Sequence, residues 1–290
     1  MPTLAFDDWS TRARAHEARV DAWVQPHLER RRKQEKHPAE DFLFDYYSYR
    51  PSALRRWHPG FGYALEAGDE YAGLKGYSGE PARVTRQHLE SQLGLVRIIR
   101  TLLVATAGRS PNLSCFGLHE WAMVYRTGPE EVRHVGWPLR LGHQGTDTVV
   151  ESHRIACSHF DAFRFFTEPA VTLNTLQPGR DDRPAFEQPG CLHGAMDLYK
   201  HAFRLSPLVS SDLIADCFEL ARDVRAVDMR ASPYDLSALG YEPIPIETAD
   251  GKRAYAEHQR DFMEQATPLR QHLIDTCDQL LDAYSTGNSR

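Results

Sequence analysis

The sequence predicts a mainly α-helical fold, a single helical domain with a small β-hairpin insertion. Three observations support this prediction. Apolar residues recur at helical spacing through several long segments, glycine or proline stands where many of these segments end, and strand-like alternation is confined to short pieces. With 41% hydrophobic and 26% charged residues, the 290-residue chain is typical of globular proteins that bury a sizeable core.

The first long helix is predicted over residues 8–36, where Ser10 is a suitable N-cap. A second helix with a broad apolar face is predicted over residues 81–107. Further helical patterns follow in the second half of the chain, one ending near Leu205 and the others at residues 211–229 and 251–284, the last with a bend possible near Pro268.

The remaining segments are predicted to be largely irregular. Residues 36–80 have no clear period apart from a possible short strand at Gly62–Leu65. Residues 138–165 are expected to form the small β element, with a hairpin at 138–151 that turns at Gly145. Residues 167–190 contain several prolines and are predicted to form a long loop. No linker or repeat divides the chain, so residues 1–290 are predicted to be one domain.

Charge and cysteine content exclude several classes of protein. The net charge of −6 argues against tight nonspecific binding to nucleic acid. No apolar run is long enough for a transmembrane helix, and the N-terminus lacks the pattern of a secretory signal, so a cytoplasmic protein without a membrane partner is expected. The five cysteines are widely spaced and odd in number, which predicts small buried side chains rather than disulfides.

Three blocks, at residues 115–126, 153–166 and 187–200, place histidines and carboxylates among aromatic and aliphatic residues. Burial of such groups is unfavourable unless they are paired, hydrogen-bonded or bound to a metal. The blocks therefore predict the walls of one pocket lined by His119, Glu120, His159, Asp161 and His193. The predicted catalytic residues are these five together with Asp197.

The roles of these residues are open at the level of sequence. Glu120 has two interpretations, a general acid or base with a raised pKa, or a partner of Arg126 in a buried ion pair. The pair His119-Glu120 does not belong to an H-E-x-x-H motif, because Met occupies position 123. A zinc-protease site of that type is therefore not predicted.

His159 and Asp161 share a face on a strand, where the carboxylate would orient the imidazole as a base. On a helix the same aspartate would lie in the first turn, without such a role. His193 and Asp197 are one helical turn apart, which suits two metal ligands or an oriented base but is also an ordinary side-chain pair.

Substrate and cofactor contacts are predicted from the polar and aromatic residues near these blocks. The cofactor is unknown, with a divalent metal as one possibility. If a metal is bound, its expected ligands are His119, Glu120, His159 and His193. The predicted substrate-binding residues are Tyr46, Arg50, Trp121, Tyr125, Arg164, Arg230, Tyr234 and Asp235.

Five motifs carry a resemblance to a known family, namely His37–Pro51, Cys115–Arg126, Cys157–Phe166, Cys191–Lys200 and Asp228–Leu236. Together they resemble a bacterial family of about this length, common in actinobacteria, whose members usually carry the name 3-methyladenine DNA glycosylase. The resemblance covers nearly the whole chain and transfers no residue roles. It implies cleavage of the N-glycosidic bond of a modified nucleobase, with a nucleobase-containing substrate and DNA as a possible partner.

Three functions are compatible with these residues. An N-glycosylase needs a carboxylate, which Glu120 or Asp161 would supply, and an aromatic pocket for the base. The second function is a metal-dependent hydrolase or oxidase of a small molecule, using Fe, Mn or Zn held by His, Asp and Glu. The third is a ligand-binding protein without catalysis, in which the histidines are structural.

Overall fold

The computed structural model describes residues 1–128 and 136–286 of the chain. It confirms the mainly α-helical fold with a small β element. A 3-10 turn covers Ser237–Leu239. The α-helices of the described residues are α1 (Phe6–Lys33), α2 (Phe42–Tyr46), α3 (Pro51–Arg55), α4 (Asp69–Ala72), α5 (Arg86–Ala107), α6 (Leu118–Ala122), α7 (Gly142–Glu151), α8 (Phe160–Phe163), α9 (Glu168–Val171), α10 (Arg183–Phe186), α11 (Leu192–Arg204), α12 (Ser211–Arg230) and α13 (Ala249–Thr286).

The long helices are the elements that the sequence predicted best. α1, α5, α11, α12 and α13 lie where apolar periodicity placed them, with ends that differ by a few residues. Pro268 lies inside α13, which continues through it. Residues 36–80 and 167–190 are broken into short helices and connections. None of the helices in the described residues combines the length and apolar composition needed to span a bilayer.

The β element is a four-stranded sheet in the N-terminal third of the chain. β1 pairs in parallel with β2, and β4 pairs antiparallel with both β2 and β3. The strand predicted at Gly62–Leu65 is confirmed by β2. The strands, in the spatial order β1-β2-β4-β3, are β1 (Thr3–Leu4), β2 (Ala64–Leu65), β4 (Ala82–Val84) and β3 (Tyr77–Ser78).

The predicted hairpin at residues 138–151 is wrong, because residues 142–151 form α7. Its buried side chains, Thr146, Val149 and Val150, follow the spacing of a helix face rather than the alternation of a strand. Gly145 therefore lies within a helix and not in a turn. Among the described residues of 138–165, the only β pairing is in two isolated bridges, Leu139 with Tyr234 and Ile155 with Asn174.

The described chain forms two compact units. The first contains residues 1–104, 197–219 and 268–286, and the second contains residues 105–128, 136–196 and 220–267. In the first unit, α1 packs against α3. In the second, α6 packs against α7 and α8, and this packing brings the first two sequence blocks together. The prediction of a single domain stays a prediction.

Candidate functional site

The second unit brings together one histidine from each of the three blocks. His119 lies in α6, His159 precedes α8, and His193 lies in the first turn of α11. The ring centroids of His119 and His193 are 4.5 Å apart, and those of His159 and His193 are 5.3 Å apart. All three side chains are buried. The three blocks therefore meet at one point, as a shared site requires.

A strained turn places His119 at this point. Phe116 and Gly117 have positive φ angles of 47° and 69°, and α6 begins directly after them. A Cβ atom at Gly117 would lie 3.3 Å from the buried ring of Tyr255, which is a tight contact, and the positive φ angle also favours glycine. A bulky residue such as Phe116 in the left-handed region costs about 1–3 kcal/mol, and such strain is common at functional sites.

His119 begins a chain of charged groups that is entirely buried. Its Nε2 atom is 2.9 Å from Oδ1 of Asp228, so the imidazole and the carboxylate form a buried pair. Nη1 of Arg225 donates to Asp228 Oδ2 at 2.8 Å and to Glu120 Oε1 at 2.7 Å. The two carboxylates thus share one guanidinium, which offsets the cost of burying them.

His159 begins a second chain with the same order of groups. Its Nε2 atom is 3.5 Å from Oε1 of Glu187, and Arg183 donates to that carboxylate at 2.5 Å. Nη1 of Arg183 is also 4.0 Å from Oδ2 of Asp161, which pairs in addition with Arg164 at 3.4 Å. His193 therefore lies between two histidines, each of which has a carboxylate and then an arginine behind it.

The buried charges shift the pKa values in opposite directions. Burial alone would lower the pKa of His119, but the Asp228 carboxylate beside it raises that pKa well above its ordinary value. Burial alone would raise the pKa of Asp228, whereas His119 and Arg225 hold it well below its usual range. Burial, reinforced by the charge of His119, lowers the pKa of His193 to about 3, so its imidazole is neutral near pH 7.

Three of these side chains form a set that fits a metal ion. One nitrogen each of His119 and His193 and one oxygen of Asp228 all lie within 4.8 Å of one another. An ion about 2.1 Å from each atom would separate tetrahedral ligands by roughly 3.4 Å, a small side-chain adjustment from this arrangement. His119 and His193 were among the metal ligands predicted from sequence, and Asp228 was not.

The carboxylates predicted as catalytic have arginine or lysine partners. Glu120 pairs with Arg225 rather than with Arg126, which instead binds Glu151 at 2.9 Å. Asp197 belongs to the first unit, where it accepts a hydrogen bond from the Tyr47 hydroxyl at 2.7 Å and pairs with Lys200 at 3.0 Å. Asp197 thus has Tyr47 and Lys200 as partners, and its predicted catalytic role stays a prediction.

Three of the predicted substrate-binding residues of the second unit have structural contacts. Trp121 is fully buried, and its indole donates to a backbone carbonyl. The Tyr125 hydroxyl donates to Glu151 at 2.8 Å. The guanidinium of Arg164 lies 4.3 Å from the ring centroid of Phe165. These contacts account for the three side chains, and a role in substrate binding stays a prediction.

The other predicted binding residues are spread over both units. Arg230 donates to the backbone carbonyl of residue 242 at 2.8 Å, and Tyr234 is buried. Asp235 accepts hydrogen bonds from the residue two positions after it. In the first unit, the ring of Tyr46 stacks 4.9 Å from that of residue 42, and Arg50 directly precedes α3. Their predicted roles stay predictions.

Sequence reasoning missed Arg225 and Asp228, both of which lie in the part of α12 that belongs to the second unit. The sequence does indicate that Asp228 is unusual, because it lies on the apolar face of the predicted helix. That face runs through Cys217, Ala221 and Val224 at helical spacing. A charged residue on an apolar helix face requires a buried partner. The cationic partner lies three residues earlier on the same helix.

The cysteines of the three blocks are free thiols. Cys157 and Cys191 are buried, and burial raises the pKa of each thiol well above its ordinary value. Cys115 is partly exposed, and its Sγ atom is 4.0 Å from Nδ1 of His119. The two buried thiols are therefore protonated near pH 7, as the interpretation as small apolar side chains requires.

No protein-family model, curated protein or solved structure matches the chain. The resemblance to the 3-methyladenine DNA glycosylase family consequently stays a prediction. A function is therefore inferred from the side chains of the second unit and their geometry.

Proposed function

We propose that this chain is a metal-dependent enzyme that holds one divalent ion between His119, His193 and Asp228. The observation that carries the proposal is the convergence of three buried donor atoms within 4.8 Å of one another. Two of these side chains, His119 and Asp228, approach to 2.9 Å between Nε2 and Oδ1. The ring of the third, His193, is 4.5 Å from that of His119, measured between the ring centroids.

Two imidazoles and one carboxylate are a ligand set used for Zn²⁺ and for Fe²⁺ in enzymes. Three protein ligands leave coordination positions open, which distinguishes such a site from a structural zinc site with four protein ligands. When bound there, the ion would polarise a substrate or a water molecule. Arg225 would orient the Asp228 carboxylate and neutralise part of its charge.

The second chain of charged groups would supply proton transfer beside the metal. The ring of His159 is 5.3 Å from that of His193, and Glu187 lies 3.5 Å from its Nε2 atom. A histidine oriented by a carboxylate is the most common general acid or base in enzymes. The proposed reaction is therefore hydrolysis of a small molecule at the metal, in which water would be the nucleophile and His159 would take its proton and return it to the leaving group.

Metal content of protein purified without a histidine tag tests the proposal. We expect about one equivalent of zinc, iron or manganese per chain by elemental analysis. Asp228→Asn and His193→Gln are expected to lose that metal, because each replaces a ligand by a weaker donor of similar size. A chelator should also lower the melting temperature of the wild-type chain, since it removes a ligand of the folded state.

His159→Gln is the matched control, because this histidine is next to the three ligands without belonging to them. It should retain the metal and lose turnover. A wild-type chain that contains no metal, and whose melting temperature is unchanged by zinc, iron, manganese and chelator, would contradict the proposal. His119 and Asp228 would then be a buried ion pair and nothing more.

N-glycosidic hydrolysis, the activity implied by resemblance, is tested with the same preparation. Both carboxylates that this reaction would use, Glu120 and Asp161, are paired with arginines. In the cationic run at the end of α1, Arg30 pairs with Asp41 and Glu40, which removes part of a surface that would hold DNA. Release of methylated bases from alkylated DNA by metal-free protein would favour the glycosylase and contradict the metal-dependent enzyme.

A further inference from the structure

A cavity of about 470 Å³ opens in the second unit next to the proposed metal site. This volume is within the range of pockets that hold small molecules. Among the described residues that line it, none is acidic. Its polar lining residues are Asn112, Ser114, Ser152, His153, Arg154 and Lys252.

The cavity lies where the blocks of the site begin. Ser114, Phe116 and Leu118 line it and directly precede His119, so the strained turn at Phe116 forms part of its wall. Cys115, between two lining residues, is partly exposed, and its sulfur is 4.0 Å from the His119 ring. The second block also starts here, because Ala156 lines the cavity three residues before His159.

The cavity wall is held by contacts with the rest of the site. The side-chain amide of Gln188 accepts a hydrogen bond from the backbone N–H of Asn112 at 2.8 Å and donates to its carbonyl at 3.2 Å. Gln188 lies next to Glu187 in the third block. On α13, Lys252 is three residues before Tyr255, whose ring lies beside Gly117. The cavity is therefore walled by the elements that position the proposed metal ligands.

Two cations in the cavity wall have no counter-ion among the residues that the structure describes. Within residues 1–128 and 136–286, neither Arg154 nor Lys252 makes a side-chain hydrogen bond or an ion pair. Acidic residues near them in sequence form ion pairs with other arginines, namely Glu151 with Arg126, Glu247 with Arg140, and Asp250 with Arg253.

His153 adds a third polar group to the cavity wall. Its Nδ1 atom is 2.6 Å from the carbonyl oxygen of Val149, and a carbonyl can only accept, so Nδ1 carries a proton. The other ring nitrogen, Nε2, has no hydrogen-bond partner among the described residues. Because Nδ1 carries the proton, Nε2 is an acceptor and can bind only a protonated group of a ligand.

We propose that this cavity binds an oxyanion group, a phosphate or a carboxylate, of the small molecule on which the enzyme acts. Arg154 and Lys252 would supply the charge, and the side-chain amide N–H of Asn112, whose oxygen is held by the Ser114 hydroxyl at 2.6 Å, would supply a hydrogen bond. The anion is held at the cavity while the rest of the molecule extends past Cys115 towards His119. This inference rests on the proposed metal-dependent function for its chemistry, but anion binding itself can be measured without turnover.

Calorimetric titration with inorganic phosphate, and separately with acetate, tests the inference at constant ionic strength. We expect saturable binding of at least one of the two anions to the wild-type chain, and the stronger of the two identifies the group. The double variant Arg154→Gln, Lys252→Gln should bind that anion at least about tenfold more weakly, because both charge-assisted contacts are removed. Circular dichroism and metal content should be unchanged, since neither side chain has a partner in the described part of the chain.

Arg253→Gln is the matched control, because it removes one positive charge beside Lys252 from a residue that already pairs with Asp250. Its affinity for the anion should equal that of the wild type. The titrations are repeated after chelation, since phosphate can also bind a metal directly. Absence of saturable binding of both anions, or binding that survives the double substitution and disappears with chelator, would overturn the inference. If the chain never binds metal but the double substitution still weakens anion binding, the anion site would be supported and the proposed metal-dependent function would be contradicted.

Discussion

Arg225 is a buried cation that bridges two buried carboxylates of the site. It is 1% exposed, and its Nη1 atom donates hydrogen bonds to both Glu120 and Asp228, which are also buried. A guanidinium is suited to this task because it stays protonated and offers several donors. Its loss would remove the guanidinium that two buried carboxylates share.

We predict that Arg225→Met, which keeps most of the side-chain volume, lowers the free energy of unfolding by about 3–5 kcal/mol. Urea denaturation followed by circular dichroism measures the change. Arg253→Met is the control, because it also breaks an arginine–aspartate pair three residues apart on a helix, but with a side chain that is 69% exposed. A surface pair contributes about 0–1 kcal/mol. Equal losses for the two variants would contradict the view that burial makes Arg225 important.

The sequence identified the histidines of the site, but it did not identify the residues that they contact in the folded chain. His119, His159 and His193 were predicted because polar groups in apolar blocks are conspicuous. Asp228, which pairs with His119, and Arg225, which pairs with Asp228, lie far along the chain. Tertiary packing determines which residues pair over that distance, so residue spacing within one block cannot predict these pairs. For the same reason Asp197, one turn from His193, was predicted to belong to the site, although its partners are in the first unit.

At the scale of elements, the start of α13 depends on close contact with the preceding loop. Gly251 lies in its first turn, and a Cβ atom there would be 2.0 Å from the carbonyl oxygen of Pro245. Backbone atoms cannot move aside as a flexible side chain does. Glycine at this position is therefore required for the helix to dock.

We predict that Gly251→Ala destabilises the chain by at least about 2 kcal/mol, because the helix must shift away from the loop. Thermal unfolding compared with the wild type measures the effect. Gly94→Ala in α5 is the control, since nothing lies within 4 Å of its Cβ position. That substitution should stabilise the chain by about 0.5–1 kcal/mol through helix propensity. A tolerated Gly251→Ala would show that the loop at Pro245 can move.

The element that sequence analysis placed wrongly shows why short segments are difficult. Residues 138–151 contain β-branched residues and Gly145, which favour a hairpin by local preference. The structure has α7 there, because Thr146, Val149 and Val150 find a core on one helix face. Tertiary packing determines the conformation of such a short segment. By contrast, α1 and α5 are long enough for their apolar periodicity to predict a helix.

For the whole molecule, acid stability is expected to depend on buried neutral histidines. His58 is an example, since its Nδ1 atom lies 3.0 Å from the Tyr77 hydroxyl. Burial, with a smaller contribution from Arg56, lowers the pKa of His58 from 6.5 to about 4. The unfolded chain takes up a proton on this residue near pH 6.5, while the folded chain does so only near pH 4. Stability therefore falls as the pH falls through that window.

We predict that His58→Asn, which can still bond with Tyr77, weakens this pH dependence. Between pH 7 and pH 4 the wild type should lose up to about 3 kcal/mol more than the variant, the equivalent of the shift in pKa. Urea unfolding at several pH values measures both curves. His272→Asn, at an exposed residue of α13, should leave the wild-type curve unchanged. Parallel curves for the wild type and His58→Asn would contradict the prediction.

The two chains of charged groups behind His119 and His159 have a consequence for charge balance in the second unit. With the histidines neutral, as metal ligation requires, Asp228, Glu120, Glu187 and Asp161 contribute four negative charges, and Arg225, Arg183 and Arg164 contribute three positive ones. These groups therefore carry a net formal charge of −1, the difference between those counts. A divalent cation would bring the sum to +1. Electroneutrality in a medium of low polarity would therefore favour one anionic ligand, such as hydroxide or an anionic substrate group, on the open side of the ion.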